Sequence, residues 1–190
     1  MNHPCAKSIC ALWLGLYLIV GCSPLQRPAE LTPPAPQHYP LLAPETYGGT
    51  FAAQHLLEAE AGGQHVQLHT YIEIDSRQIR VVGFTPWQTR AFILRYDGNT
   101  LEFENFTNRE MPFTPALILA DIQQVLWLNL PSQGPWHVVD SAMRRERRVY
   151  FRGQLMTHIQ YNGHLTSRGE IKLSNIPLDY QLRIYTARNP

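Results

Sequence analysis

His137, Asp140 and Ser141 are the residue types of an acyl-transfer triad and lie close together in the chain. A triad is defined by geometry in three dimensions, so closeness in sequence does not create one. No G-x-S-x-G elbow accompanies them, and the chain carries no P-loop, no G-x-G-x-x-G and no H-E-x-x-H. His65 and His69 have the spacing of a helical metal pair. On a strand, however, four residues span about 13 Å, which keeps the two rings from sharing one ion. The residues around them alternate as in a strand, so a solvent-facing polar row is expected, with Glu58 opposite Gln67 and Glu60 opposite His65 as ordinary cross-strand pairs. His158 and His164 flank a turn and carry no specific signal. The expectation is a protein that is not an enzyme, with no cofactor and no metal.

The cysteines point to a different chemistry. There are three, Cys5, Cys10 and Cys22. Lys7 supplies a thin positive start, an apolar run follows from Ile9 to Val20, and small Gly21 precedes Cys22. The run is too short to span a bilayer and reads as a signal peptide. Ile19-Val20-Gly21-Cys22 resembles a bacterial lipobox, whose cysteine becomes the lipidated first residue of the mature chain. Residues 1–21 are then the signal peptide, and the mature domain keeps no thiol for a disulfide, a metal or nucleophilic catalysis. Two or more acyl chains hold a protein stably on a membrane. Ser23 follows the cysteine where bacterial lipoproteins retained at the inner membrane tend to carry aspartate. The expected location is therefore the periplasmic face of the outer membrane.

Seven prolines fall between Ser23 and Pro44 (Pro24, Pro28, Pro33, Pro34, Pro36, Pro40 and Pro44). Such a stretch favours extended, semi-rigid chain, so residues 22–44 are expected to form a lipidated tether. Residues 45–190 fit one domain of ordinary size. The formal net charge is +1, which gives no reason to expect nucleic acid as a partner.

The elements that must carry any site are mostly strands. In Gln64–Asp75, Val66, Leu68, Ile72 and Ile74 share one face, while His65, Gln67, His69, Tyr71 and Glu73 share the other. Gly62-Gly63 turns the chain from a preceding strand, Gln54–Ala61, setting Leu57 opposite Leu68 and Ala59 opposite Val66. Ser76-Arg77 sets Ile74 against Ile79 and Ile72 against Val81. Asp97-Gly98-Asn99 is a hairpin signal joining Phe92 and Leu94 to Leu101 and Phe103, with Arg95, Glu102 and Glu104 on the reverse face. Thr114 and Pro115 predict the cap and first turn of a helix running to Leu130, where Pro131 stops it. Its apolar residues (Leu117, Ile118, Ile122, Val125, Leu126 and Leu128) cover more than one side, as in a helix seated in a hollow.

Strands return with Val149, Phe151, Leu155, Ile159 and Tyr161 on one parity and Leu178, Tyr180, Leu182 and Ile184 on another. A two-residue turn at Asn162-Gly163 would expose Ile171 and Leu173, so a three-residue loop or a bulge is expected near 162–169. The charged run Met143–Arg148 suits either an anionic surface or, preferably, a solvated hairpin end or protected edge. Between strands, Phe84 and Trp87 either fold back as core or project toward lipid or a partner.

Gly83-Phe84-Thr85-Pro86-Trp87, Phe92-Ile93-Leu94-Arg95-Tyr96-Asp97-Gly98, Ile118-Leu119-Ala120-Asp121-Ile122-Gln123 running to Trp127, and Leu178-Asp179-Tyr180-Gln181-Leu182 carry a resemblance. With the lipobox and the tether, they resemble the LolA/LolB-type lipoprotein-localisation fold. The resemblance is closer to a family of small bacterial lipoproteins related to it, and covers roughly residues 54–186. It implies a mainly β (α+β) fold, a curved antiparallel sheet forming an incomplete barrel plugged by one or more helices. It also implies an apolar cavity for acyl chains, a LolA-like periplasmic carrier as partner, and Phe84 and Trp87 on a loop that touches membrane or partner, with Trp87 exposed. Two departures, a Trp where the receptor has a smaller aliphatic residue and the long tether, favour a specialised paralogue. Members are associated with gene clusters for aryl-polyene pigments, so the implied ligand is an acyl or polyene-like chain. The candidate cavity walls are Leu68, Ile72, Ile74, Val81, Phe92, Leu94, Phe103, Ile118, Ile122 and Leu182, each of which would serve equally as plain core. The alternative from another class is a structural or interaction lipoprotein with a packed core, scaffolding an envelope complex.

Overall fold

The computed structural model describes residues 38–107, 111, 113–164 and 167–186. The expected signal peptide, Cys22 and most of the tether lie outside the described residues. A 3-10 turn, Pro44–Tyr47, leads into β1 (Phe51–Ala61), β2 (Gln64–Ile74), β3 (Ile79–Phe84), β4 (Arg90–Tyr96) and β5 (Leu101–Asn105). Helix α1 (Pro115–Leu126) follows, then β6 (Trp136–Ser141), β7 (Glu146–Phe151), β8 (Gln154–His164), β9 (Ser167–Asn175) and β10 (Tyr180–Thr186).

All ten strands form one antiparallel sheet in the order β5-β4-β3-β2-β1-β10-β9-β8-β7-β6. The sheet is not closed, since β5 and β6 each have one neighbour. Chain order is followed everywhere except where β1 meets β10, which joins an N-terminal meander to a C-terminal one. The hairpin registers follow from two-residue alternation and short turns. Leu57 faces Leu68 and Ala59 faces Val66 across Gly62-Gly63, and Ile74 faces Ile79 across Ser76-Arg77. Asp97 Oδ1 accepts from the backbone N–H groups of Asn99 (2.9 Å) and Thr100 (2.7 Å), fixing the β4–β5 hairpin. On its outer face Arg95 meets Glu104 at 2.7 Å.

The core lies between α1 and the sheet face carrying Ile72, Val81, Leu94, Ile159, Leu173 and Ile184. Gly83 is closely covered on that face. A Cβ there would lie 2.3 Å from Cε1 of Phe92, because the Phe92 ring covers the glycine opposite it. Gly83→Ala is therefore expected to cost about 1–3 kcal/mol, as other overpacking changes do. The readout is a lower urea midpoint at unchanged slope; an unshifted midpoint would mean that the ring swings away freely.

Several expectations need correction. The packed domain begins before Glu45. Tyr39, at 1% exposure, stacks edge-on against Trp136 at 5.3 Å, and Leu42 and Pro44 are buried as well. The segment stays extended at Ala43, but its apolar Tyr39, Leu41 and Leu42 pack against the core instead of acting as a spacer. Gln123 holds this segment down, its amide accepting from Leu42 N–H (2.8 Å) and donating to Leu42 carbonyl (2.6 Å).

Helix α1 is capped by Thr114 as expected, its hydroxyl accepting from Leu117 N–H at 3.3 Å, but it ends at Leu126 rather than Leu130. Trp127 turns out of the helix with ψ 113°, and its indole N–H donates to Thr46 Oγ1 at 2.8 Å. Leu128 is exposed rather than packed. Arg147 meets the carbonyls released at this end: it donates to Gln124 (2.6 Å), Trp127 (2.7 Å) and Leu128 (3.1 Å). The charged run 143–148 is thus not wholly solvated, because Arg147 is only 4% exposed and is clamped by Asp140 at 2.6 and 3.0 Å.

A bulge between Val149 and Tyr150 shifts the parity of β8, so Met156 and Ile159 are buried while Leu155 is not. The irregularity expected near residue 162 is present between Asn162 and His164, and it restores Ile159 opposite Leu173 and Tyr161 opposite Ile171.

Candidate functional site

Helix α1 turns one stripe toward the sheet: Ile118, Asp121, Ile122 and Val125, at the spacing that brings helical residues onto one face. Opposite it stand Leu57 and Ala59 of β1, Val66, Leu68 and Ile72 of β2, Val81 of β3, Phe92 of β4, and Leu182 and Ile184 of β10. Between these walls lies a cavity of about 720 Å³. That volume falls within the range of small-molecule binding sites. Of the ten residues expected to wall it, Leu68, Ile72, Val81, Phe92, Ile118, Ile122 and Leu182 do so. Ile74 and Leu94 do not; they are fully buried in the filled part of the core. Phe103 also stands back from the cavity, stacked on Phe92 at a centroid distance of 5.6 Å.

The cavity reaches the surface beside the β1–β2 turn and the loop after β3, where Gln64, His65, Thr85, Pro86 and Trp87 line it. The loop is closed by its own hydrogen bonds. Thr85 N–H donates to Thr89 carbonyl (2.8 Å), Gln88 N–H donates to Thr85 carbonyl (2.9 Å), and the two threonine hydroxyls meet at 2.6 Å. A bulge at Gly83/Phe84 launches the loop away from the sheet. Phe84 stays half-buried, whereas Trp87 is 81% exposed at the rim.

Four polar residues line the interior: His55, Thr70, Asp121 and Tyr180. His55 projects from the inward face of β1, stacked on Phe51, and neither ring nitrogen has a hydrogen-bond partner. Burial lowers its pKa to about 4, leaving the imidazole neutral at physiological pH. Asp121 Oδ2 accepts a short hydrogen bond from the Tyr180 hydroxyl, while Oδ1 has no partner. Burial pushes the Asp121 carboxyl up to about 7, against the opposing pull of that hydrogen bond. Burial, and then the neighbouring Asp121 charge, holds the Tyr180 hydroxyl well above its usual range.

Asp121, His55 and Tyr180 are not among the candidates named from sequence, although Asp121 and Tyr180 each lie within a quoted motif. A carboxylate in a helix apolar on several sides was the available signal for it. His55 sits on inward parity among apolar neighbours and carries no separate mark, and Tyr180 is read there only as one of an alternating apolar run.

The triad types do not converge. Asp140 is engaged by Arg147, and Ser141 Oγ accepts from Arg144 N–H at 3.3 Å. His137 shares a face of β6 with Ser141, about 13 Å along the strand. His65 pairs with Glu60 at 3.9 Å, and no group of three or more potential metal ligands occurs among the described residues.

Among the described residues, fold and site together define an open ten-strand antiparallel sheet carrying one helix, with an apolar cavity between them. The chain belongs to the family described as "Protein of unknown function (DUF3261)", whose model matches residues 52–188. No curated protein matches it. Its structure is similar to the crystal structure of a Vibrio parahaemolyticus domain provisionally described as an outer membrane lipoprotein-sorting protein. The similarity has a TM-score of 0.41 at 7% identity, covering 74% of this chain and 84% of that one.

Proposed function

We propose that this protein is a non-enzymatic lipoprotein of the outer membrane that binds, and passes on, long apolar ligands such as acyl or polyene-like chains. In this reading the sheet curves into an incomplete barrel, α1 plugs its concave side, and the cavity holds the ligand. Lipid on Cys22 and a proline-rich tether would keep the domain at the periplasmic face of the membrane, within reach of a LolA-like carrier.

The observation that carries the proposal is the apolar cavity of about 720 Å³ walled by both sheet and helix. Burial of apolar area at about 25 cal/mol per Å² supplies the binding energy, with few polar contacts needed. A space of this size weighs against the packed-core alternative, in which protein interiors leave few voids larger than a water molecule.

Trp87 gives the test. An exposed Trp at the cavity rim can enter the boundary between headgroups and acyl chains, where its amphipathic ring is at home. Trp87→Glu is expected to slow transfer of a fluorescent acyl probe from protein to vesicles by about tenfold, the equivalent of roughly 1.4 kcal/mol. Probe affinity should persist, and stability should stay within about 0.5 kcal/mol, as for other surface substitutions. Unchanged transfer would remove the loop from the proposal. A wild-type protein that binds no acyl probe would remove the ligand.

A further inference from the structure

The stripe of α1 that faces the cavity is apolar except at Asp121. Leucine there would continue the apolar wall, yet the position holds a carboxyl at 6% exposure. One of its oxygens is committed to Tyr180; the other, Oδ1, is buried with no partner. A buried polar atom left unmatched costs about 1–3 kcal/mol, so each such case calls for an explanation. Here the unmatched oxygen belongs to a residue of the cavity wall, where a bound molecule can supply what the protein does not.

The rest of the wall restricts what that molecule is. Among the described residues, no Lys or Arg lines the cavity. His55 does line it, with both ring nitrogens unpartnered, but burial keeps that imidazole neutral, so no standing positive charge meets an anionic head beside Asp121, and apposed like charges cost several kcal/mol. A cationic head would have to leave water for apolar walls, with one carboxyl as its compensation. A neutral group with an O–H or N–H escapes both penalties and satisfies Oδ1. Tyr180, held by Asp121 and by Asn175 Nδ2 at 3.4 Å, fixes the carboxyl in place for this contact.

We propose that Asp121, positioned by Tyr180, is a selectivity site within the cavity, and that it favours amphiphiles ending in an uncharged hydrogen-bond donor, an alcohol or amide, over those ending in a carboxylate. The inference rests on the ligand-binding reading above and adds the chemistry of the ligand's polar end.

The experiment is displacement of diphenylhexatriene from the full chain carrying Cys22→Ser, by hexadecanol, hexadecanoate or hexadecylamine, at about pH 8, above the value of about 7 to which burial raises Asp121, so that its carboxyl is mostly ionised. The wild-type cavity is expected to prefer hexadecanol over hexadecanoate by at least about tenfold, a modest share of the like-charge penalty. Asp121→Asn keeps the shape and an acceptor for Tyr180 but removes the charge. It is expected to gain hexadecanoate binding by about tenfold, a gain that no failure to fold can mimic. Equal hexadecanoate affinity in wild type and Asp121→Asn would overturn the inference while leaving the cavity reading intact, and a preference for hexadecylamine would also overturn it. No diphenylhexatriene binding by the wild type would overturn the cavity reading and the inference together.

Discussion

Arg147→Met is expected to remove about 3–5 kcal/mol of stability, the scale seen when one partner of a buried charged network is taken away. The guanidinium is 4% exposed and closes the C-terminal end of α1 by donating to the carbonyls of Gln124, Trp127 and Leu128. Methionine fills much of the same space and donates nothing, so those carbonyls lose their partner, and Asp140 loses its clamp. With domain stabilities of about 5–15 kcal/mol, this is a large fraction of the whole. Asp140→Asn is expected to cost much less, about 1 kcal/mol, because the amide oxygen still accepts from the guanidinium, the three carbonyls still hold it, and the half-exposed end of the pair is open to water. Denaturant unfolding of the two variants checks the pair. Equal losses would mean that the ion pair, and not the helix end, is what Arg147 holds.

The second large effect is a dependence on pH. In the folded protein burial raises Asp121 from 3.8 to about 7, so the folded state keeps a proton that the unfolded chain releases. The stability this provides is fully present below about pH 4 and is lost as pH rises through about 7, a change on the order of 4 kcal/mol by linkage. His55 works in the opposite sense. Burial lowers it from 6.5 to about 4, so the unfolded chain takes up a proton that the folded state refuses. Its stability is present above about pH 6.5 and is lost on the way down to about 4, on the order of 3 kcal/mol. Across the shared window the two slopes oppose, and the wild-type profile should be shallow. Asp121→Asn exposes the His55 slope: near pH 8 it should be more stable than wild type by a few kcal/mol, with the advantage vanishing near pH 4. His55→Gln should show the reverse tilt. Unfolding free energies measured at intervals across this range decide the matter; parallel profiles for wild type and Asp121→Asn would show that Asp121 does not titrate as its burial requires.

Those two groups also mark the boundary of what could be read from the chain alone. Hairpin registers were legible because alternation and turn length leave little choice: Leu57 with Leu68 and Ile72 with Val81 pair as the pattern demands. Irregularities were legible only where a wrong register exposed large apolar residues, as with Ile171 and Leu173, and not at Val149, where a shift merely exchanged Leu155 for Met156.

Long-range satisfaction was invisible. Tyr180 reaches Asp121 across 59 positions and Leu42 reaches Gln123 across 81, so neither buried polar residue announced its partner. The same reason hid the early end of α1, which depends on an arginine from β7. Composition could not separate an open hollow from a filled core, either. Val81 and Leu94 sit opposite each other in register, but only Val81 lines the cavity.

The central claim is that the cavity holds a long apolar molecule. The most direct measurement is native mass spectrometry with lipid extraction on the full chain purified from its own host. One extractable long-chain species at about one per protein, with an alcohol or amide end, is the expected result for a preformed apolar pocket of this size. A protein that arrives empty and also fails to take up diphenylhexatriene would contradict the claim and return the domain to the interaction-protein reading.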